Sequence, residues 1–189
     1  MRDHAKFMED SRPIIETERL YARPWNIEID IDVVIDMYSH ADVVRYIGNK
    51  RIETTEAAKE YLETRIHRTQ ELGGSLGSWA LIQKSTGAVI GNVLLKPLPG
   101  KSRIPTSHIE VGWHLHRNAW GHGFATEAGG GLLRHAFSTL HLDRVLAVTE
   151  PENLGSIAVM KRLNMTPLGP TTDFYDGEFL EQFERRPTS

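Results

Sequence analysis

The stretch from His108 to Phe137 constrains the fold of this chain more than any other. It opens on a strand-like alternation, with Ile109, Val111, Trp113 and Leu115 on one face and His108, Glu110, Gly112, His114 and His116 on the other. The chain then turns through Gly121-His122-Gly123 and runs directly into a helical pattern. A strand feeding a glycine turn that opens a helix gathers unpaired backbone N–H groups and the positive helix end at one spot, which is a device for holding phosphate. Taken alone, a G-x-G is equally a tight turn. It is not the dinucleotide fingerprint, because Thr126 fills the third glycine position, and it is not a P-loop, because no Gly-Lys-Ser/Thr follows.

Around this stretch the periodicity predicts a mixed α/β chain. A strand is expected within Ile14–Trp25, a helix over roughly 30–39, and a short element at Ala41–Tyr46. Thr54 or Thr55 then caps a helix that continues to about Leu72, where Gly73-Gly74 stops it. Ser78–Gln83 and Ala88–Leu95 read as a hairpin across Lys84-Ser85-Thr86-Gly87, and Pro97–Pro105 as a loop whose basic residues are solvated. After the strand Ser107–His116 and the glycine turn, a helix is expected from Gly123 to Leu140. Its triplet Gly129-Gly130-Gly131 costs roughly 1 kcal/mol per residue relative to alanine, which points to close packing or to plain tolerance. A short strand at Arg144–Thr149, a helix at Asn153–Leu163 and a terminal hairpin around Asp176-Gly177 complete the pattern.

The length of 189 residues suits one domain, read as residues 14–189 behind a flexible N-terminal tail of residues 1–13. The net charge of -3, from 22 Lys+Arg against 25 Asp+Glu, supplies no basic field for a nucleic-acid partner. No long apolar run or signal-peptide core is present, so no membrane partner and a cytoplasmic location are expected. The absence of cysteine excludes disulfides, thiolate catalysis and cysteine zinc sites.

In order and spacing, four motifs resemble the GNAT superfamily of acetyl-CoA-dependent N-acyltransferases, and within it the branch of ribosomal-protein-alanine N-acetyltransferases. They are Thr17-Glu18-Arg19-Leu20, Ile109-Glu110-Val111-Gly112-Trp113, Trp120-Gly121-His122-Gly123-Phe124-Ala125-Thr126-Glu127-Ala128 and Asn153-Leu154-Gly155-Ser156. The resemblance covers about Glu18 to Phe183. It departs from the superfamily's Q/R-x-x-G-x-G/A loop at Asn118.

The resemblance implies a central mixed, mostly antiparallel sheet with a splayed strand pair, flanked by helices. It implies acetyl-CoA as cosubstrate, its diphosphate held by backbone amides of Gly121, His122, Gly123, Phe124 and Ala125, and its pantetheine arm by backbone groups of Trp113 and Leu115. The Leu115 amide would also polarise the thioester carbonyl. Asn153 and Ser156 would contact the arm, with the Ser156 hydroxyl near the departing thiolate; plain helix capping is the alternative for both. Glu110 would take the proton from an attacking amine, or else form a structural salt bridge. The acceptor is a protein N-terminus or a small amine, and the chain a monomer or homodimer.

Two other function classes remain at this level. One is a non-catalytic acyl-CoA sensor. The other is a metal-dependent hydrolase drawing on His108, His114, His116, His122 and Glu110. Strand neighbours two apart are separated by roughly 7 Å, so only His114 and His116 could act as an adjacent pair, and no metal is expected.

Overall fold

The computed structural model describes residues 13–48 and 50–187; the expected N-terminal tail, apart from Pro13, lies outside them. The elements in chain order are β1 (Ile15–Glu16), β2 (Leu20–Arg23), α1 (Ile27–Ser39), α2 (Ala41–Val44), α3 (Thr55–Glu71), β3 (Gly77–Gln83) and β4 (Val89–Pro99), followed by β5 (Pro105–Leu115), α4 (Phe124–Arg134), β6 (Val145–Thr149), α5 (Leu154–Arg162), β7 (Thr166–Thr171) and β8 (Leu180–Arg185). The strands form one eight-stranded sheet in the order β1-β2-β3-β4-β5-β6-β8-β7. Every neighbouring pair is antiparallel except β5 and β6. This is the mixed, mostly antiparallel sheet flanked by helices that the family resemblance implies. Among the described residues no helix is long and apolar enough to cross a membrane.

The helices start where side chains satisfy their free amides. Asn26 accepts from the Glu28 amide at 2.8 Å, Thr54 from Ala57 at 3.2 Å and Asn153 from Ser156 at 3.1 Å. Strand alternation then sorts the core onto the two faces of the sheet. Trp79, Leu81, Val93, Leu95, Val111 and Leu115 pack on α4 and α5, while Ala80 and Ile82 pack with Val34, Met37, Tyr38 and Leu62 of α1 and α3. Glu110, Gly112 and His114 share the α1/α3 face by parity.

Two local expectations change. The segment expected to be a loop from Pro97 is sheet as far as Pro99, with Pro97 opposite Ile109 and a register shift before Pro99. A proline lacks the ladder donor, so it reads as a strand breaker; here the irregularity absorbs it. The helix expected to reach Leu140 ends at Arg134 and continues as a wide π turn, His135–Thr139. Of the glycine triplet, close packing accounts for two members. A Cβ on Gly129 would lie 2.8 Å from Leu163 Cδ1 and 3.2 Å from Trp113, and one on Gly131 3.1 Å from Ile15; Gly130 has ordinary room.

Candidate functional site

The parallel junction of β5 and β6 shapes the site. Their ladder consists of Glu110 opposite Leu146, beyond which β6 pairs with β8 and β5 with β4. The strands therefore diverge from Glu110 onward and leave one edge of Val111–Leu115 unpaired. The His116 amide donates to the Ile90 carbonyl of β4 at 2.9 Å. Because N–H groups alternate along a strand, the amides of Leu115 and Trp113 point the other way, toward the gap. The Leu115 carbonyl shares that edge and accepts from the Trp120 indole N–H at 2.9 Å. A cleft of about 630 Å³ opens here, reached by Trp113 and His114 from β5, by Thr149 from β6 and by Asn153 and Ser156 from α5.

At the far end of β5 lies the glycine turn. Gly121 (φ 79°) and Gly123 (φ 78°) are both left-handed, a backbone that any other residue adopts at a cost. Gly123 precedes the first residue of α4, and the first amide of the segment that bonds within it is Glu127, to the Gly123 carbonyl at 3.0 Å. Among the described residues, the amides from Gly121 through Thr126 find no protein acceptor. Such a row of free donors at a helix start offers main-chain N–H groups that could hold an anion such as a diphosphate without any side chain. Phe124 contributes by its amide alone, since its ring is buried in the core.

The Thr17–Leu20 motif clamps this loop. Glu127 accepts from the Thr17 hydroxyl at 2.6 Å, the Arg19 amide at 2.9 Å and Arg19 Nε at 2.6 Å, while Arg19 also donates to the His122 carbonyl at 3.1 Å. Burial raises the pKa of Glu127, but these donors outweigh it and hold the carboxyl below its ordinary value.

Glu110 is 5% exposed, and both of its neighbours use one oxygen: Oε1 accepts from Lys96 Nζ and from the Tyr175 hydroxyl. Oε2 has no donor among the described residues. Burial first, and then the Glu110 charge, raises the Tyr175 phenol far above its usual value, so it remains a donor. The structural salt bridge weighed for Glu110 is therefore present, alongside a free oxygen facing the cleft that both residues line.

Lys96 and Tyr175 were not legible as site residues. Tyr175 sits in the connection between β7 and β8 with φ 49°, a positive value uncommon for a bulky residue. Arg103 is solvated as expected, and its exposed side chain also pairs with Asp176 and Glu178 at the cleft. Asn153 spends Oδ1 on its cap, which leaves its amide nitrogen for the cleft; Ser156 lies in the first turn of α5.

The histidines disperse. Arg144 donates to His108 Nδ1 at 2.9 Å, and His122 bonds the Trp120 carbonyl at 2.7 Å. His116 Nδ1 accepts from the Asn118 amide at 3.2 Å, so its Nε2 carries the proton given to Asp36 at 2.8 Å. Among the described residues the one group spaced to hold a metal is Asp36, His40 and His116, a different set from the one the sequence offered. The proton on Nε2 of His116 opposes ligation there.

His114 is partly buried and bonds the Tyr38 hydroxyl at 3.1 Å; Tyr38 in turn accepts from Tyr61. Burial, then the positive charges of Arg65 on α3 and Lys96 on β4, push its pKa down to about 3. The unfolded chain takes up this proton near pH 6.5, so below that pH it binds more protons than the folded chain and stability falls as pH drops toward 3. The expected slope from this residue approaches about 1.4 kcal/mol per pH unit. Denaturant titrations between pH 4 and 7 check it: His114→Gln flattens the acid limb, and an unchanged limb rejects the assignment.

Comparison with known proteins gives the family and the fold. Residues 19–166 match the profile described as "Acetyltransferase (GNAT) domain". The chain belongs to the GNAT acetyltransferases. It is 30% identical over 158 residues to the N-acetyltransferase p20 of Bacillus licheniformis, covering 84% of this chain and 85% of that one. Its fold is that of a GNAT-family acetyltransferase from Bacillus anthracis (TM-score 0.74, 21% identity, 91% and 97% of the two chains) and of a ribosomal-protein α-N-acetyltransferase solved with coenzyme A (TM-score 0.72, 13% identity, 93% and 98%). This GNAT chain is accordingly an acyltransferase that uses acetyl-CoA as donor.

Proposed function

We propose that this protein is a cytoplasmic N-acetyltransferase that moves an acetyl group from acetyl-CoA to a primary amine by direct attack within a ternary complex. The observation that carries the reading is the row of unpartnered amides from Gly121 through Thr126, set at one end of a strand edge left open by the β5–β6 divergence. Acetyl-CoA, when bound, supplies the acetyl group as a thioester. The loop amides of Gly121 to Ala125 hold the diphosphate, and the free edge at Trp113 and Leu115 pairs with the pantetheine amides much as a missing strand would. One amide of that edge donates to the thioester carbonyl oxygen as charge develops there, leaving the other for the arm. Glu110 Oε2 accepts the proton of the attacking amine, directly or through water, since an amine attacks only when neutral. Ser156 stands by the departing sulfur. With no cysteine in the chain, no cysteinyl acyl-enzyme lies on the route.

Thermal melts with coenzyme A, followed by acetyl-CoA assays across amines and peptides monitored as free thiol, test this. Ligand at about 100 times its dissociation constant adds roughly 2.7 kcal/mol, which for a chain of this size raises Tm by about 5–10 °C. No shift would reject the loop assignment. A shift without thiol release on any amine would favour a binding module that senses acyl-CoA.

A further inference from the structure

Arg65 on α3 reaches the same cleft as Glu110 and His114. Of the other cations that line it, Lys96 is taken by Glu110, Arg103 is held by Asp176 and Glu178, and Arg68 is exposed to solvent. Arg65 has no carboxylate within ion-pair distance among the described residues. Its Nε is fully covered and has no hydrogen-bond acceptor, and its guanidinium lies over the Tyr61 ring at 3.6 Å from the centroid. An aromatic face fixes the plane of a guanidinium without neutralising it. A partly exposed cation that lines a cleft without a counter-ion is open to an anion, and a carboxylate matches the fork of a guanidinium with two parallel bonds.

Taking the amine-acetyltransferase reading as given, we infer that Arg65 recognises a carboxylate on the acceptor, which makes the substrate a small amino acid-like amine. With Nε covered, the anion meets the terminal nitrogens of the guanidinium from the cleft side. A compact molecule with its amine toward Glu110 and its carboxylate toward Arg65 meets that demand. A peptide passing along the rim would present its charge elsewhere.

The test compares each of the twenty amino acids with its own α-carboxamide, a pair that differs only in the charge. Free thiol release gives kcat/KM for wild type, Arg65→Gln and Arg65→Lys, all checked for native melting. At least one acid should exceed its amide by about 30-fold or more, the size expected for a bidentate guanidinium–carboxylate pair closed off from solvent by the bound acceptor. Arg65→Gln should erase that preference by lowering the acid's value, and Arg65→Lys should restore part of it. Amides as good as acids, an equal fall for acid and amide in Arg65→Gln, or peptides with acidic N-terminal residues outrunning every free amino acid would each overturn the inference. If no amine is acetylated, the transferase reading fails separately. Calorimetric titration of the same amino acids into coenzyme A-saturated protein then decides: binding lost in Arg65→Gln upholds the carboxylate site, and binding by none of them overturns it.

Discussion

Glu110→Gln is expected to lower kcat/KM for the acceptor by about 10²- to 10⁴-fold, the usual worth of a positioned proton acceptor, while coenzyme A affinity stays within roughly twofold. Glutamine has the shape of the residue it replaces and can still accept from the Tyr175 hydroxyl through its Oε1. What it removes is the ability of the free oxygen to take a proton from the amine. It also leaves the Lys96 ammonium without its counter-charge, a side effect on the same wall of the cleft. The two are separated by Lys96→Met, which discards the ammonium and keeps the carboxylate. If proton acceptance is what matters, Lys96→Met retains far more activity than Glu110→Gln. If the ion pair matters only as structure, both variants lose activity and melting temperature together. Cofactor affinity should be insulated because the loop proposed to hold the diphosphate lies at the far end of β5 and offers main-chain donors alone. Turnover of Glu110→Gln at the wild-type rate would remove Glu110 from the mechanism.

Much of this site was legible in the sequence because its parts are local. The glycine turn, the alternation of β5 and the caps at Thr54 and Asn153 each depend on neighbours a few residues apart, and local chemistry dictates them. The role of Thr17-Glu18-Arg19-Leu20 was visible as a motif but not as a clamp, since Glu127 meets it only after the chain has crossed the sheet. The residues gathered around Glu110, where the acceptor is proposed to bind, were hidden for the same reason. Lys96, Tyr175, Arg65 and the Tyr38–Tyr61 pair come from four separate elements and converge through packing. No period or spacing announces such a cluster. Pro97 and Pro99 misled in the opposite sense, because a residue that lacks a ladder donor can still occupy a strand where the register shifts.

Gly121→Asp should weaken coenzyme A binding by about 100-fold, whereas Gly121→Asn should cost only a few-fold. Gly121 is left-handed at φ 79°, and a Cβ there meets no atom within 4 Å, so substitution is opposed by backbone conformation and not by crowding. Asn and Asp are the side chains that tolerate this region best, and they are nearly identical in shape. The pair therefore holds the conformational cost constant and varies one charge. A carboxylate at Gly121 stands beside the amides that would receive the diphosphate, and it both repels that anion and competes for its donors. Arg19 is tied to Glu127 and the His122 carbonyl, so it is already engaged and poorly placed to neutralise the newcomer. Because the loop is exposed, the penalty should shrink as salt rises from 0.1 M to 1 M, where the screening length falls from about 10 Å to 3 Å. Titrations of coenzyme A at both salt concentrations read this out. Equal losses in the two variants, independent of salt, would mean that the loop acts through its shape alone, and unchanged affinity in both would place the diphosphate elsewhere.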